Sequence, residues 1–402
     1  MTQAIENNKF DILKFDVSPD RGFLCKYDPA AVKMPASLQP LVDAGKWLPE
    51  HMATGVVRRY LQKLPEIDMT DFIKTATDEQ LRNAMVHYSF IVQAWVWGEK
   101  EPNHIIPRNI AVPLCLIADK LGQFPLLPYS AYVLDNFSLF DKTGKPTLEN
   151  IYMHQHFSSG IDESWFKMIH VEIEAEAGQA LAAIPAVLEG CATDDAAKVI
   201  AGLKDVLAAW HNMYDTMKRM VDYCDPYTYF HRVRPYIHGW QDNPDLPGGV
   251  IYEGVAKFKG EIQAFRGQTG SQSSIVPTMD ALFGVEHSND PLRQYLNELH
   301  AYRPVLHRKF IEEVAKRSTL RAYTLKTENT EMTELYNACL DRVRAFRALH
   351  LEYAASYINK QNSHTGNPSD VGTGGTPFMK YLKKHRDESE RHLLPLPNKK
   401  SA

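Results

Sequence analysis

Arg342-Val343-Arg344-Ala345-Phe346-Arg347-Ala348-Leu349-His350-Leu351-Glu352-Tyr353-Ala354-Ala355-Ser356-Tyr357 is the stretch on which the reading of this chain turns. Counting from His350 in steps of three, four and seven, Val343 and Phe346 lie before it and Tyr353, Ala354 and Tyr357 after it. That spacing is one face of an α-helix, and the pattern carries the helix from Glu331 to Asn359. His350 therefore sits in the apolar stripe. Two readings of it follow. One is a core histidine bonded to a backbone carbonyl. The other is an axial metal ligand presented by a rigid helix into an apolar cavity, as a proximal haem histidine is. Arg347, three residues earlier on the same side, would then suit a propionate.

The same period recurs on both sides of that helix. Glu163 to Leu188 and Asp194 to Tyr223 read as long amphipathic helices; Tyr229 to Trp240 and Asp290 to Ser318 complete a bundle. Nearer the N-terminus, Leu38 to Leu64 is helical in period, and Thr77 caps a helix running to Gly98 behind an acidic first turn. A shorter helix fits Arg108 to Leu121. Strand-like alternation is scarce and no repeat is visible. The expected fold is mostly α. We expect a small N-terminal α lobe with an irregular arm over residues 1–145 and a large all-α domain over 146–402. The turn Asp141-Lys142-Thr143-Gly144-Lys145-Pro146 divides them.

Composition narrows the function. Lys plus Arg is 45 against 49 Asp plus Glu, a net charge of −4, which speaks against nucleic acid as a partner. The basic tail (Lys380, Lys383, Lys384, Arg386) is matched by Asp387, Glu388 and Glu390 and reads as a solvated helix. No apolar run approaches the ~20 residues of a membrane span, and Met1 to Asp11 holds no secretory h-region. Five scattered cysteines form no C-x-x-C, so a reducing cytoplasm is the expected home.

Other segments offer chemistry. Arg234 follows the aromatic pair Tyr229-Phe230, a setting for a ring with a carboxylate or for an ordinary salt bridge. Gly267 to Ser274 presents N–H groups and hydroxyls ahead of a helix, as an anion cradle or a plain flexible loop. Asn359 to Thr376 is a polar loop ending in Gly372-Thr373-Gly374-Gly375-Thr376, a hinge or a linker. There is no H-E-x-x-H, G-x-S-x-G or C-x-x-C-H, and His154 with His156 lacks a third zinc ligand nearby.

Taken together, six segments resemble the indoleamine 2,3-dioxygenase family, within the wider group of haem tryptophan dioxygenases. They are Leu126-Leu127-Pro128-Tyr129, Arg234-Pro235-Tyr236-Ile237-His238-Gly239-Trp240, Val250-Ile251-Tyr252-Glu253-Gly254, Gln272-Ser273-Ser274 with Asp280-Ala281-Leu282-Phe283-Gly284, Arg347-Ala348-Leu349-His350-Leu351, and Gly372-Thr373-Gly374-Gly375-Thr376. They stand in the family's order over roughly residues 120–382.

The resemblance implies haem b in the large domain, with His350 as proximal ligand and Arg347 beside a propionate. It implies that Arg234 receives the substrate carboxylate and that Tyr229, Phe230 and Tyr129 wall the indole pocket. Thr269 and Ser271 fall in the loop over the haem edge. Thr373 falls where a closing loop meets substrate and propionate, and we expect that loop to be mobile until an indole orders it. The implied activity inserts both atoms of O2 across the indole C2–C3 bond of tryptophan or a relative. Its partners are a small indole and O2. Two rival readings are a haem enzyme rearranging tryptophan in secondary metabolism and a haem O2 or redox sensor without turnover.

The distal side departs from the family. Aligning Val171-Glu172-Ile173 puts Met168 where indoleamine dioxygenases have Ser and tryptophan dioxygenases His, and Ser164 where an aromatic usually packs. Glu163-Ser164-Trp165-Phe166-Lys167 instead resembles the Glu-Leu-Trp-Phe-Lys of tryptophan dioxygenases, a register that makes Ser159 distal. His156 and His170 are within reach too.

Overall fold

A computed structural model describes residues 10–287, 291–361, 367–369, 372–375 and 378–397. The fold is mostly α. We label the longer helices α1 (Asp78–Trp97), α2 (Arg108–Leu121), α3 (Ile161–Thr193), α4 (Ala196–Lys218), α5 (Ile275–Phe283), α6 (Val305–Arg317), α7 (Thr330–Ala354) and α8 (Phe378–Arg391). Strands among the described residues are two or three residues long. Ile105–Ile106 pairs in parallel with Ile251–Tyr252, and Phe137–Leu139 runs antiparallel to Ile151–Met153.

Local chemistry explains where these elements start and stop. Thr77 accepts from the Gln80 N–H while the Gln80 side chain accepts from the Thr77 N–H, a reciprocal cap on α1. The helix expected over Asp290–Ser318 is two pieces, Pro291–His300 and α6, because Pro304 has no N–H to carry the ladder across. Tyr229–Trp240 is likewise a wide π turn over Tyr229–Val233 followed by a 3-10 turn over Arg234–Ile237, around Pro235. The Leu38–Leu64 segment breaks into Gln39–Lys46, Leu48–Ala53 and Arg58–Leu61. Past α7, Ala355–Asn359 continues as a π turn, which rotates Tyr357 relative to the stripe that carries His350.

Two hydrophobic cores result. α1, buried on nearly every side, gathers the first with α2, Leu126–Phe157, Trp240, Tyr252 and Tyr302. α3, α4 and α7 build the second. Phe10 to Phe23 belongs to the second core: a Cβ on Gly178 would stand 2.2 Å from the Pro19 carbonyl, so the arm lies directly on α3. The Asp141–Pro146 turn is the tip of a hairpin, and both cores draw residues from each side of it. No described helix is long and apolar enough to cross a membrane.

The first turns of α3 hold a buried ion pair. Glu163 and Lys167 meet at 2.8 Å with neither side chain exposed. The carboxylate also accepts from the Phe157 and Ser158 N–H groups; the ammonium donates to the Gln155 carbonyl and lies 5.3 Å from the ring centres of Phe90 and Tyr132. This peg fixes where α3 begins, and so where its next turns point.

Candidate active site

α3, α4 and α7 converge with α5 and the loop 267–274 around a cavity of about 760 Å³, within the range of cofactor and ligand pockets. A smaller lobe of about 150 Å³ shares His170, Met217, Gly270, Ser271, Leu296 and His350 as walls. Ile173, Trp210, Met213 and Phe346 make much of the large lobe apolar.

His350 faces both lobes, and its imidazole has no hydrogen bond to any protein group among the described residues. That sets aside the core histidine bonded to a carbonyl. Burial pushes its pKa down to about 4, with the neighbouring His170 adding to the effect, so it is neutral at pH 7 with a lone pair to offer. One turn away, Arg347 is held at 2.8 Å by Asp280, which also meets His287 at 3.2 Å. That carboxylate fixes the direction of the guanidinium at the edge of the cavity.

Tyr129, Ser271 and Arg347 line the large lobe; Tyr229, Thr269 and Thr373 line the small one, which Ser271 also faces. Thr269 Oγ1 accepts from the Ser271 N–H at 3.4 Å, bending the loop over the cavity. Thr373 donates its hydroxyl to the Gln268 carbonyl at 2.6 Å, and its own carbonyl accepts from the Gly239 N–H. Arg234 and Phe230 stand behind the wall. Arg234 is fully buried, its Nη1 donating to Asn367 Oδ1 and, at 2.7 Å, to the Pro368 carbonyl. Part of the Asn359–Thr376 loop expected to be mobile (362–366, 370, 371 and 376) lies outside the described residues. Its described parts are anchored: Asn367 is buried, and the Gly374 carbonyl accepts from Arg266 at 2.8 Å.

Of the four distal candidates, His170 is the one that lines the cavity. Met168 packs between the cores, Ser159 is exposed, and His156 is engaged by the Met153 carbonyl and Lys167. Sequence reasoning missed two further residues. Arg303, buried, ties the loop by donating to the Ser271 and Ser273 carbonyls, at 2.8 and 3.2 Å. Glu174 Oε1 accepts from the hydroxyls of Tyr129 (2.9 Å) and Ser273 (2.7 Å), while Oε2 has no partner. The available signal was its place one turn past His170, between Ile173 and Ala177 on the buried face.

Burial pushes the Glu174 carboxyl up to about 7, against the two hydroxyl bonds that favour its charge. Raised above its unfolded value, this carboxyl makes the folded state hold the extra proton from about pH 4.5 to 7, so stability falls as pH rises through that window. Glu174→Gln keeps the shape and cannot ionise. We expect the stability of the wild type relative to this variant to drop by about 2.5 kcal/mol between pH 5 and 8 in urea unfolding. A flat difference across that range would mean the carboxyl is not protonated in the fold.

Among the described residues no three His, Cys, Asp or Glu side chains gather as a site for a bare metal ion. A single unbonded imidazole on a rigid helix, a large apolar cavity and an oriented arginine at its edge instead fit a macrocycle that brings its own in-plane ligands. The site is therefore that of a helical haem protein with room beside the cofactor for a small aromatic ligand.

The chain belongs to the indoleamine 2,3-dioxygenase family, whose sequence model matches residues 11–392. It is 30% identical to indoleamine 2,3-dioxygenase 1 of Mus musculus over 393 residues, 95% of each chain. It is 29% identical to indoleamine 2,3-dioxygenase of Saccharomyces cerevisiae, over 94% of this chain and 92% of the yeast protein. Members of the family are haem-dependent dioxygenases, oxidoreductases that incorporate O2 into indole substrates, and this chain is one of them.

Proposed function

We propose that the protein cleaves the C2–C3 bond of tryptophan or a close indole relative, adding both atoms of O2 to give an N-formylkynurenine-type product, with haem b held by His350. The observation that carries this reading is the His350 imidazole, neutral and unbonded at the wall of the cavity. When bound, the haem supplies the iron chemistry that activates O2. The chain holds the reactants and keeps water out. Phe346, Met213 and Met217 give a dry floor, Arg347 fixes one edge of the cofactor, and Tyr129 and Tyr229 wall the indole. Thr269, Ser271 and Thr373 line the opening where the amino-acid end of the substrate lies. The free thiols of all five cysteines support a cytoplasmic setting.

Arg234 is the proposed receptor of the carboxylate, and a carboxylate reaching it displaces the Asn367 amide and the Pro368 carbonyl. Arg234→Lys keeps the charge and loses the planar fork. We expect kcat/KM for tryptophan to fall by the equivalent of about 1.5–3 kcal/mol, with tryptamine, which lacks the carboxylate, nearly indifferent. Equal losses on both would make Arg234 structural. Product mass tests the reaction itself: turnover of L-tryptophan should add two oxygen atoms from labelled O2. A product without both points to rearrangement, and a haem spectrum without turnover to a sensor.

A further inference from the structure

Arg303 stands at the corner between the Pro291–His300 helix and α6. A residue before proline avoids the helical region, so the chain turns at Pro304 and the corner residue is free to face inward. Its side chain does so: Arg303 is 2% exposed and lines the large lobe of the cavity. Pro291–His300 packs on the turn Gly270–Gln272, so corner and loop form one wall.

A guanidinium has five N–H donors. Two are in use, Nε on the Ser273 carbonyl at 3.2 Å and Nη2 on the Ser271 carbonyl at 2.8 Å. Nη1 meets no acceptor among the described residues, and neither does the Ser271 hydroxyl beside it find a partner there. Both bonds of Arg303 go to neutral carbonyls, and no described carboxylate pairs with its charge. The acids of the lobe are engaged elsewhere: Asp280 with Arg347, Glu312 with His300 at 3.1 Å, and Glu174 with two hydroxyls, while Glu286 is exposed. Burial pushes the Arg303 pKa down to about 10, which still leaves the group charged at pH 7. A buried cation is costly until an opposite charge reaches it, and the side still open is the cavity. Arg347 makes the contrast, because its charge on the same lobe is balanced by Asp280.

We propose that Arg303 is a carboxylate receptor of the large lobe, its unused N–H donors and the Ser271 hydroxyl taking the oxygens. The carboxylate can come from the propionate edge of the haem or from a free small acid in the cavity. The first source rests on the reading of the chain as a haem dioxygenase. It extends that reading by adding, beside Arg347, a second arginine whose charge the protein leaves for the cofactor to balance.

Protohaem and its dimethyl ester differ at the propionates, charged in one and neutral in the other, so they probe the first source; acetate probes the second. Haem loss to excess apomyoglobin is timed for the wild type, Arg303→Met and Arg303→Gln, and acetate binding to the haem-loaded forms is measured by calorimetry. With a propionate as partner, both variants should lose protohaem about tenfold faster than the wild type and lose the ester at the wild-type rate. With a free acid as partner, acetate should bind the wild type and not the variants, and haem loss should be unchanged. Either pattern upholds the receptor. Loss of both haems faster by the same factor would make Arg303 a tie for the loop and overturn the proposal. Haem loss and acetate binding that are both indifferent to Arg303 would overturn it too. Arg303→Gln keeps a donor for the loop carbonyls, so it reports on the charge even where Arg303→Met does not fold. Failure of the haem reading is separately visible as a wild type without a Soret band, and acetate binding to that protein then decides on Arg303 alone.

Discussion

His350→Ala should purify without haem and without a Soret band, while its fold stays intact. No described residue hydrogen-bonds to this imidazole, and it borders a cavity instead of filling one. Its loss should therefore cost the apoprotein about 1 kcal/mol or less. The cofactor, by contrast, loses the bond that fixes the iron to α7. Free imidazole has the size of the deleted ring and should restore haem uptake when added. Full haem content with an unchanged five-coordinate ferrous spectrum would assign the ligand to another histidine, with His170 across the cavity as the candidate to test next.

The helical frame was legible because apolar residues at three- and four-residue steps leave little choice of which face goes inward. The placement of His350 and Arg347 on the cavity side of α7 was legible for the same reason, since the helix shows its buried stripe plainly. Proline made the exceptions. Pro304 split one expected helix, and Pro235 converted another into π and 3-10 turns.

The distal wall was less legible, and geometry explains why. Met168, Ser159, His156 and His170 lie within 15 positions of one another around the start of α3. A shift of one residue turns a helical side chain by about 100°, so local resemblance could not choose among them. The choice depends on where α3 starts, which the Glu163–Lys167 peg sets from outside the helix through the Gln155, Phe157 and Ser158 backbone. Arg234 shows a different gap. Its neighbours in sequence are aromatic, but its partners Asn367 and Pro368 lie more than 130 positions away, and no local pattern announces them.

That peg carries the second large effect. Lys167→Met should destabilise the protein by about 3–5 kcal/mol, because it leaves the Glu163 carboxylate buried without its cation. The N–H groups of Phe157 and Ser158 still reach the carboxylate, which places the cost towards the lower end of that range. Glu163→Gln combined with Lys167→Met removes both charges, and the amide can still accept from those N–H groups. The double variant should recover more than half of the loss, a coupling readable from urea midpoints of the four proteins. A single-variant cost below about 1 kcal/mol would mean that water reaches the pair. The functional consequence follows from position. Lys167 is three residues from His170 on one rigid helix, so loosening the peg lets the imidazole drift from its bond with the Phe166 carbonyl. Lys167→Met should therefore also weaken indole binding to the haem-loaded protein, and the double variant should restore it along with stability.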